Sequence, residues 1–193
     1  LIGENADRSL VDRIINAADD IAAVTSSTRD LREVALSSRT PQRYTVATLL
    51  SDIISAARTT YPKAKFTLTV ETTAEIVIGN EFKRAFVEVL QNAVKHCETK
   101  VPEINITACR EDSMVCITIR DNGPGIDPFE MGAIAEGEET PTQHGQGVGL
   151  WLANWIVTDY AGSFQIEPIT GDGQTGTVVT IKLPAVAETE PIE

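Results

Sequence analysis

The segment from Asp121 to Leu150 restricts the folds open to this chain more than any other. It opens with Asp121-Asn-Gly123-Pro-Gly125-Ile-Asp and closes with His144-Gly145-Gln-Gly147-Val-Gly149-Leu150. Two glycine clusters around a long stretch without strand periodicity point to a flap over a ligand rather than an ordinary connection. Before it, Met114 to Arg120 (MVCITIR) alternates and is rich in β-branched residues, so a strand should end at Asp121. Behind it, Gly149 to Tyr160 (GLWLANWIVTDY) has helical apolar spacing, so the second cluster feeds a helix N-terminus. Backbone N–H groups there lack intrahelical partners, and the helix dipole favours an anion. Glycine lets that backbone approach a phosphate with no Cβ in between. These residues predict a phosphate site over 145–150, with Asp121 facing it from a strand end.

A chain of 193 residues with 42% hydrophobic content can bury a core of one large domain, with or without an appendage. No apolar run approaches the roughly 18 residues that would span a bilayer, so no membrane contact is expected. A first residue of Leu1 and the lack of a leader pattern read as an excised piece, with a cytoplasmic location expected for it and membrane attachment of the parent left open. The formal net charge of −12 argues against a nucleic-acid surface. Three cysteines, Cys97, Cys109 and Cys116, are without metal-ligand spacing and read as small buried residues.

Residues 5 to 38 contain neither Gly nor Pro, and Leu10, Ile14, Ala17, Ile21, Val24, Thr28, Leu31 and Ala35 follow a heptad seam. A helix of about thirty residues is roughly 45 Å long and should project to pair with other helices. Lying across its own domain is the alternative. Pro41 ends the pattern, so the expected organisation is a long helix over 1–40, a domain over 41–186 and an acidic tail over 187–193.

Within that domain the pattern predicts a strand at 43–46, a helix from Val46 to Arg58, and strands at Lys65 to Glu71 and Glu75 to Ile78. A helix from Glu81 to Cys97 follows, then a hairpin of Ile104 to Arg110 with Met114 to Arg120. After the flap come the second helix and a last hairpin of Ser163 to Pro168 with Gly176 to Leu183. The expected class is α+β: a two-layer α/β sandwich, one largely antiparallel mixed sheet with helices on one face. No GxxxxGK[ST] loop occurs, which excludes an ordinary P-loop.

The helix Glu81–Cys97 (EFKRAFVEVLQNAVKHC) has a wide core stripe, and Glu88, Asn92, Lys95 and His96 fall three or four apart on an adjoining face. An amide oxygen and a carboxylate one turn apart suit Mg²⁺ or an ordered water, and Lys95 offers a point charge to a phosphate. Viewed alone, the helix is also compatible with a plain amphipathic element.

Taken together these residues resemble the GHKL superfamily, which includes sensor histidine kinases, DNA gyrase, MutL mismatch-repair proteins and heat-shock chaperone ATPases. Glu88-Val-Leu-Gln-Asn92-Ala-Val-Lys95-His96 resembles its N-box, and Asp121-Asn-Gly123-Pro-Gly125 its DxGxG box. Gly145-Gln-Gly147-Val148-Gly149-Leu150 resembles the GxGxGL box, and Gly176-Thr177 through Pro184 the GT box and terminal strand. Four boxes in order over about 100 residues are a specific signal. The short flap, the end at Leu-Pro and the preceding heptad helix are most similar to the histidine-kinase branch, with its Bergerat ATP-binding fold.

The resemblance implies ATP and Mg²⁺ as ligands. Asn92 would coordinate Mg²⁺, and Lys95 with His96 would contact phosphates. Asp121 would accept from the adenine amino group, supported through water by Thr177. Gly123, Gly125 and Ile126 would edge the adenine pocket, and Gly145, Gly147, Val148, Gly149 and Leu150 would wrap the phosphates. Glu88 stands where many histidine kinases have Asn, so general base, water orienter and metal partner stay open, with the orienting role favoured. Phosphate would pass to a histidine on a hairpin helix upstream, then to a response-regulator receiver domain, and residues 10–35 would form a homodimer seam. The histidines of this chain are His96 and His144, neither in a phosphoacceptor motif. A protein-serine kinase of the anti-sigma type and a non-catalytic nucleotide-sensing module are the alternatives.

Overall fold

The computed structural model describes residues 40–97, 99–126, 131–132, 147–170 and 175–187. The expected heptad helix, most of the flap with Gly145, and the acidic tail beyond 187 lie outside the described residues.

Strand β1, Gln42–Thr45, runs straight into helix α1, Val46–Thr60. Thr45 caps that helix: the Thr48 N–H donates to its hydroxyl at 3.3 Å. Val46, Leu49, Leu50, Ile53, Ile54 and Ala57 recur at three- and four-residue steps and are buried. The helix ends where Tyr61 precedes Pro62, since that position disfavours helical backbone. Strands β2, Lys65–Val70, and β3, Glu75–Ile78, lead to helix α2, Asn80–Lys95. Strands β4, Glu103–Glu111, and β5, Met114–Arg120, form a tight hairpin with Asp112 at φ +53°. Helix α3, Gly147–Asp159, then precedes strands β6, Ser163–Pro168, and β7, Thr177–Pro184.

The main sheet has the order β2-β4-β5-β7-β6, with β2 parallel to β4 and the remaining pairs antiparallel. Alternate residues Ile104, Ile106 and Ala108 of β4, Val115, Ile117 and Ile119 of β5, and Val179, Ile181 and Leu183 of β7 are buried. They meet the apolar sides of the three helices, so one face of the sheet carries the core and the other is open. This bears out the predicted two-layer class. The placement of every strand in one sheet is corrected: β1 and β3 pair only with each other, Gln42 opposite Ile78 and Thr45 opposite Glu75, as a separate two-stranded ribbon. Four-residue strands carry too few alternating positions to declare a partner. The first of them also ends at Thr45, because Val46 turns its side chain into the core as the first residue of α1.

One polar knot locks the two helices that flank the site. The Glu81 carboxylate is buried in the first turn of α2, where the helix dipole favours a negative charge. It accepts from the Tyr160 hydroxyl just past α3, while that hydroxyl accepts from the Gly79 N–H at 2.7 Å. The Tyr160 ring also meets Phe82 edge-on, centroids 6.3 Å apart. Tyr160→Phe keeps the ring but removes both polar contacts. It is expected to cost about 2 kcal/mol, read as a lower urea midpoint at unchanged m-value.

Candidate functional site

Asp121 continues the parity of Ile117 and Ile119, so its side chain turns to the helix-bearing side at the end of β5. Its Oδ1 accepts from the Gly123 N–H at 2.8 Å and from the Thr177 N–H at 3.1 Å. The backbones are joined as well: the Asp121 N–H donates to the Thr177 carbonyl at 3.0 Å. Thr177 thus supports Asp121 directly through its backbone. Burial pushes the Asp121 carboxyl up from the ordinary carboxylate range, against the lowering effect of the Gly123 and Thr177 hydrogen bonds and of His96 nearby.

Asn122 fixes the loop from its other side. Its Oδ1 accepts from the Glu103 N–H at 2.9 Å and from the Cys97 thiol at 3.1 Å, and its amide donates to the Val101 carbonyl at 3.3 Å. The turn at 121–123 is thereby tied to the segment leaving α2. Gly125 has φ +95°, and Ile126 is half-buried against the core edge. Gly176 packs so tightly on Asp121 that a Cβ there would overlap its carbonyl oxygen and come within 2.9 Å of Ile169 Cδ1.

Helix α2 supplies the opposite wall. Glu88 and Asn92 are half-buried one turn apart, Lys95 is exposed at the last turn, and His96 follows as a half-buried cap residue. The Glu88 carboxylate lies over the first turns of α3: a Cβ on Gly149 would stand 2.8 Å from Glu88 Oε2. The same carboxylate, after burial, helps push the Tyr61 hydroxyl up from its ordinary value. Gly147 and Val148 begin the backbone of α3, whose first-turn amides have no intrahelical acceptor. Leu150 differs from the expectation in one respect. Its side chain is buried in the core, so only its backbone is available to a ligand.

The chain folding therefore collects Asp121, Gly123, Gly125, Ile126, Thr177, Glu88, Asn92, His96 and Gly149 around the space between α2, α3 and the ends of β5 and β7. Asn122 and Gly176 escaped the sequence reading as positioning residues. The first is hidden inside the Asp-Asn-Gly turn, and the second shows only through its contact with a residue 55 positions away (176 − 121). The reading of all three cysteines as buried residues holds for Cys116 alone: Cys97 and Cys109 are half-buried.

Residues 77–187 match the sequence profile described as histidine kinase-, DNA gyrase B-, and HSP90-like ATPase. The virulence sensor histidine kinase PhoQ of Salmonella typhimurium is 34% identical over 122 residues, 61% of this chain and 24% of that protein. Sporulation kinase B of Bacillus subtilis is 29% identical over 122 residues, 62% of this chain and 28% of that protein. The chain thus spans about a quarter of the length of these curated relatives. Among solved structures, a mycobacterial sensor histidine kinase MprB superposes with TM-score 0.64 at 22% identity, covering 76% of this chain and 98% of that one. Histidine kinase ThkA, solved in complex with response regulator protein TrrA, gives TM-score 0.69 at 15% identity, covering 91% and 52%.

Proposed function

The chain belongs to the histidine kinase-, DNA gyrase B- and HSP90-like ATPase family, and from that premise we propose that it is the ATP-binding catalytic region of a two-component sensor histidine kinase. The observation that carries this reading is the Asp121 pocket. One oxygen of this half-buried carboxylate is held by the Gly123 and Thr177 amides, which leaves the second oxygen able to accept from an adenine amino group. Guanine presents no amino group at that position, so a carboxylate acceptor selects adenine.

Catalysis in such a site is positioning plus electrostatics. Asn92 and Glu88 offer an amide oxygen and a carboxylate one turn apart, a hard-oxygen set that fits Mg²⁺. Bound there, the ion would offset charge on the phosphates. Lys95 and His96 add donors at the end of α2, while the amides of α3 and the glycines 145, 147 and 149 wrap the triphosphate. Glu88 orients rather than transfers: its place over Gly149 sets it beside the phosphate wall. The acceptor is a histidine on a hairpin helix of a longer parent chain, paired as a homodimer through residues 10–35. Relay to a response-regulator receiver domain is supported by the likeness to ThkA, solved with TrrA. No helix of the described residues is long and apolar enough to cross a membrane; ATP as the ligand supports a cytoplasmic location for this region, with membrane attachment of the parent left open.

Incubating the parent chain with γ-labelled ATP and Mg²⁺ tests this. An acid-labile, base-stable label is expected, and Asn92→Ala should slow its appearance about thirtyfold. An acid-stable label would replace the reading with a serine kinase.

A further inference from the structure

The open face of the sheet carries a second group of donor side chains, away from the nucleotide wall. The hairpin register sets Cys109 directly opposite Cys116, two positions behind the closing pair Glu111 and Met114. Because Ala108 and Ile117 point into the core, Cys109, Glu111 and Cys116 share the face turned away from the helices. Their two sulfurs and a carboxylate oxygen all lie within 4.8 Å of one another. Lys182 of β7 stands opposite Cys116 and donates to Glu111 Oε2 at 2.7 Å. That hydrogen bond and the ammonium charge hold Glu111 below its ordinary carboxylate range, whereas burial, then the charges of Glu111 and Cys109, push the Cys116 thiol up.

We propose that Cys109, Cys116 and Glu111 form a binding site for one zinc-class divalent ion, with the fourth tetrahedral position left to water. Zinc bonds of about 2.3 Å to sulfur and 2.1 Å to oxygen require edges of about 3.8 Å and 3.6 Å, within reach of side-chain rotation from the present spacing. Thiolate donors favour zinc over magnesium or calcium, and the single carboxylate is compatible with it. Charge also closes. Two thiolates and one carboxylate sum to −3, which the dication and the Lys182 ammonium balance to zero. Binding releases two protons, one from each thiol, and moves Lys182 from direct partner of Glu111 to a neighbour of the ligands. The site is separate from the ATP pocket: Cys116 is five residues from Asp121 along an extended strand, about 17 Å, and on the other face.

The test uses the reduced, chelator-stripped chain, with Co²⁺ as the spectroscopic probe and Zn²⁺ in competition. A sulfur-to-metal charge-transfer band should saturate at one ion per chain, be displaced by Zn²⁺ and remain in Cys97→Ser. The double variant Cys109→Ser with Cys116→Ser should lose it. Glu111→Gln changes an exposed side chain and should keep the band while weakening affinity about tenfold or more. Calorimetry in buffers of different ionisation enthalpy should count two protons released. A band that survives the double variant overturns the proposal, as does no band while both thiols titrate as free. Thiols that fail to titrate because they have formed a cross-strand disulfide overturn it equally, in favour of a redox pair.

Discussion

Asp121→Asn is expected to lower ATP affinity about 1000-fold while leaving the fold intact. The amide oxygen of asparagine can accept from the Gly123 and Thr177 N–H groups just as Oδ1 does, so the turn keeps its two fixed bonds. The amide nitrogen is then forced to the place of Oδ2, where it meets the adenine amino group donor to donor. Loss of a hydrogen bond to a charged acceptor costs about 2 kcal/mol, and burying two opposed donors costs about as much again. Titration with a fluorescent ATP analogue reads the loss, and a ligand-free melting point no lower than that of the unsubstituted protein shows that the fold survived.

The same substitution isolates a pH effect. Because the folded-state value of Asp121 is raised, its contribution to stability is fully present below the ordinary carboxylate range and is lost as pH climbs through the raised value. At neutral pH the ionised carboxylate therefore sits in the fold at a cost, which a ligand N–H offsets. ATP-induced thermal protection should decline as pH falls from neutral through that raised value. Asp121→Asn, read at nucleotide concentrations raised to give equal occupancy at neutral pH, should show a shallower decline, the difference belonging to the Asp121 carboxylate and the His96 charge coupled to it.

Gly176→Ala should destabilise the domain by about 3 kcal/mol. Its φ of +154° is open to glycine and strained for any L side chain. The new Cβ would also overlap the Asp121 carbonyl oxygen and press on Ile169 Cδ1. Neither neighbour yields freely. Asp121 is bonded through its own N–H to Thr177, and the Ile169 N–H donates to the Gly176 carbonyl at 2.8 Å. A fall in Tm of roughly 10 °C is expected. Whatever fraction folds should bind ATP weakly, because relief of the overlap moves Asp121 itself.

Periodicity made most elements legible. The three-and-four spacing of Phe82, Phe86, Val89, Leu90 and Ala93 marks α2, and the two-step alternation of Val115, Ile117 and Ile119 marks β5. The facing of Asp121 and Asn92 was legible for the same reason: one follows a strand and the other sits on a helix whose local pattern fixes the direction of the side chain. What escaped depends on contacts far apart in sequence. Nothing in Glu75–Ile78 announces that it pairs with Gln42–Thr45 rather than with the main sheet. Glu88 reaches Gly149 only through the packing of α2 on α3. Leu150 shows the converse, a motif position whose apolar side chain obeys burial rather than the ligand. The Cys109–Cys116 pair was recoverable in principle. Once the turn at Asp112-Ser113 is accepted, counting outward from it sets the two sulfurs face to face.

The small β1–β3 ribbon has a mechanical consequence. Residue 42 enters along one edge of β3, and the Val186 N–H donates to the Glu75 carbonyl on the opposite edge at 2.7 Å. With strands about 4.8 Å apart and four residues between, both attachment points fall within about 14 Å of each other. Tension applied across residues 42 and 186 therefore passes first through one four-residue strand, while the Ala185 N–H, donating to the Ser113 carbonyl at 2.8 Å, ties the same exit to the β4–β5 hairpin.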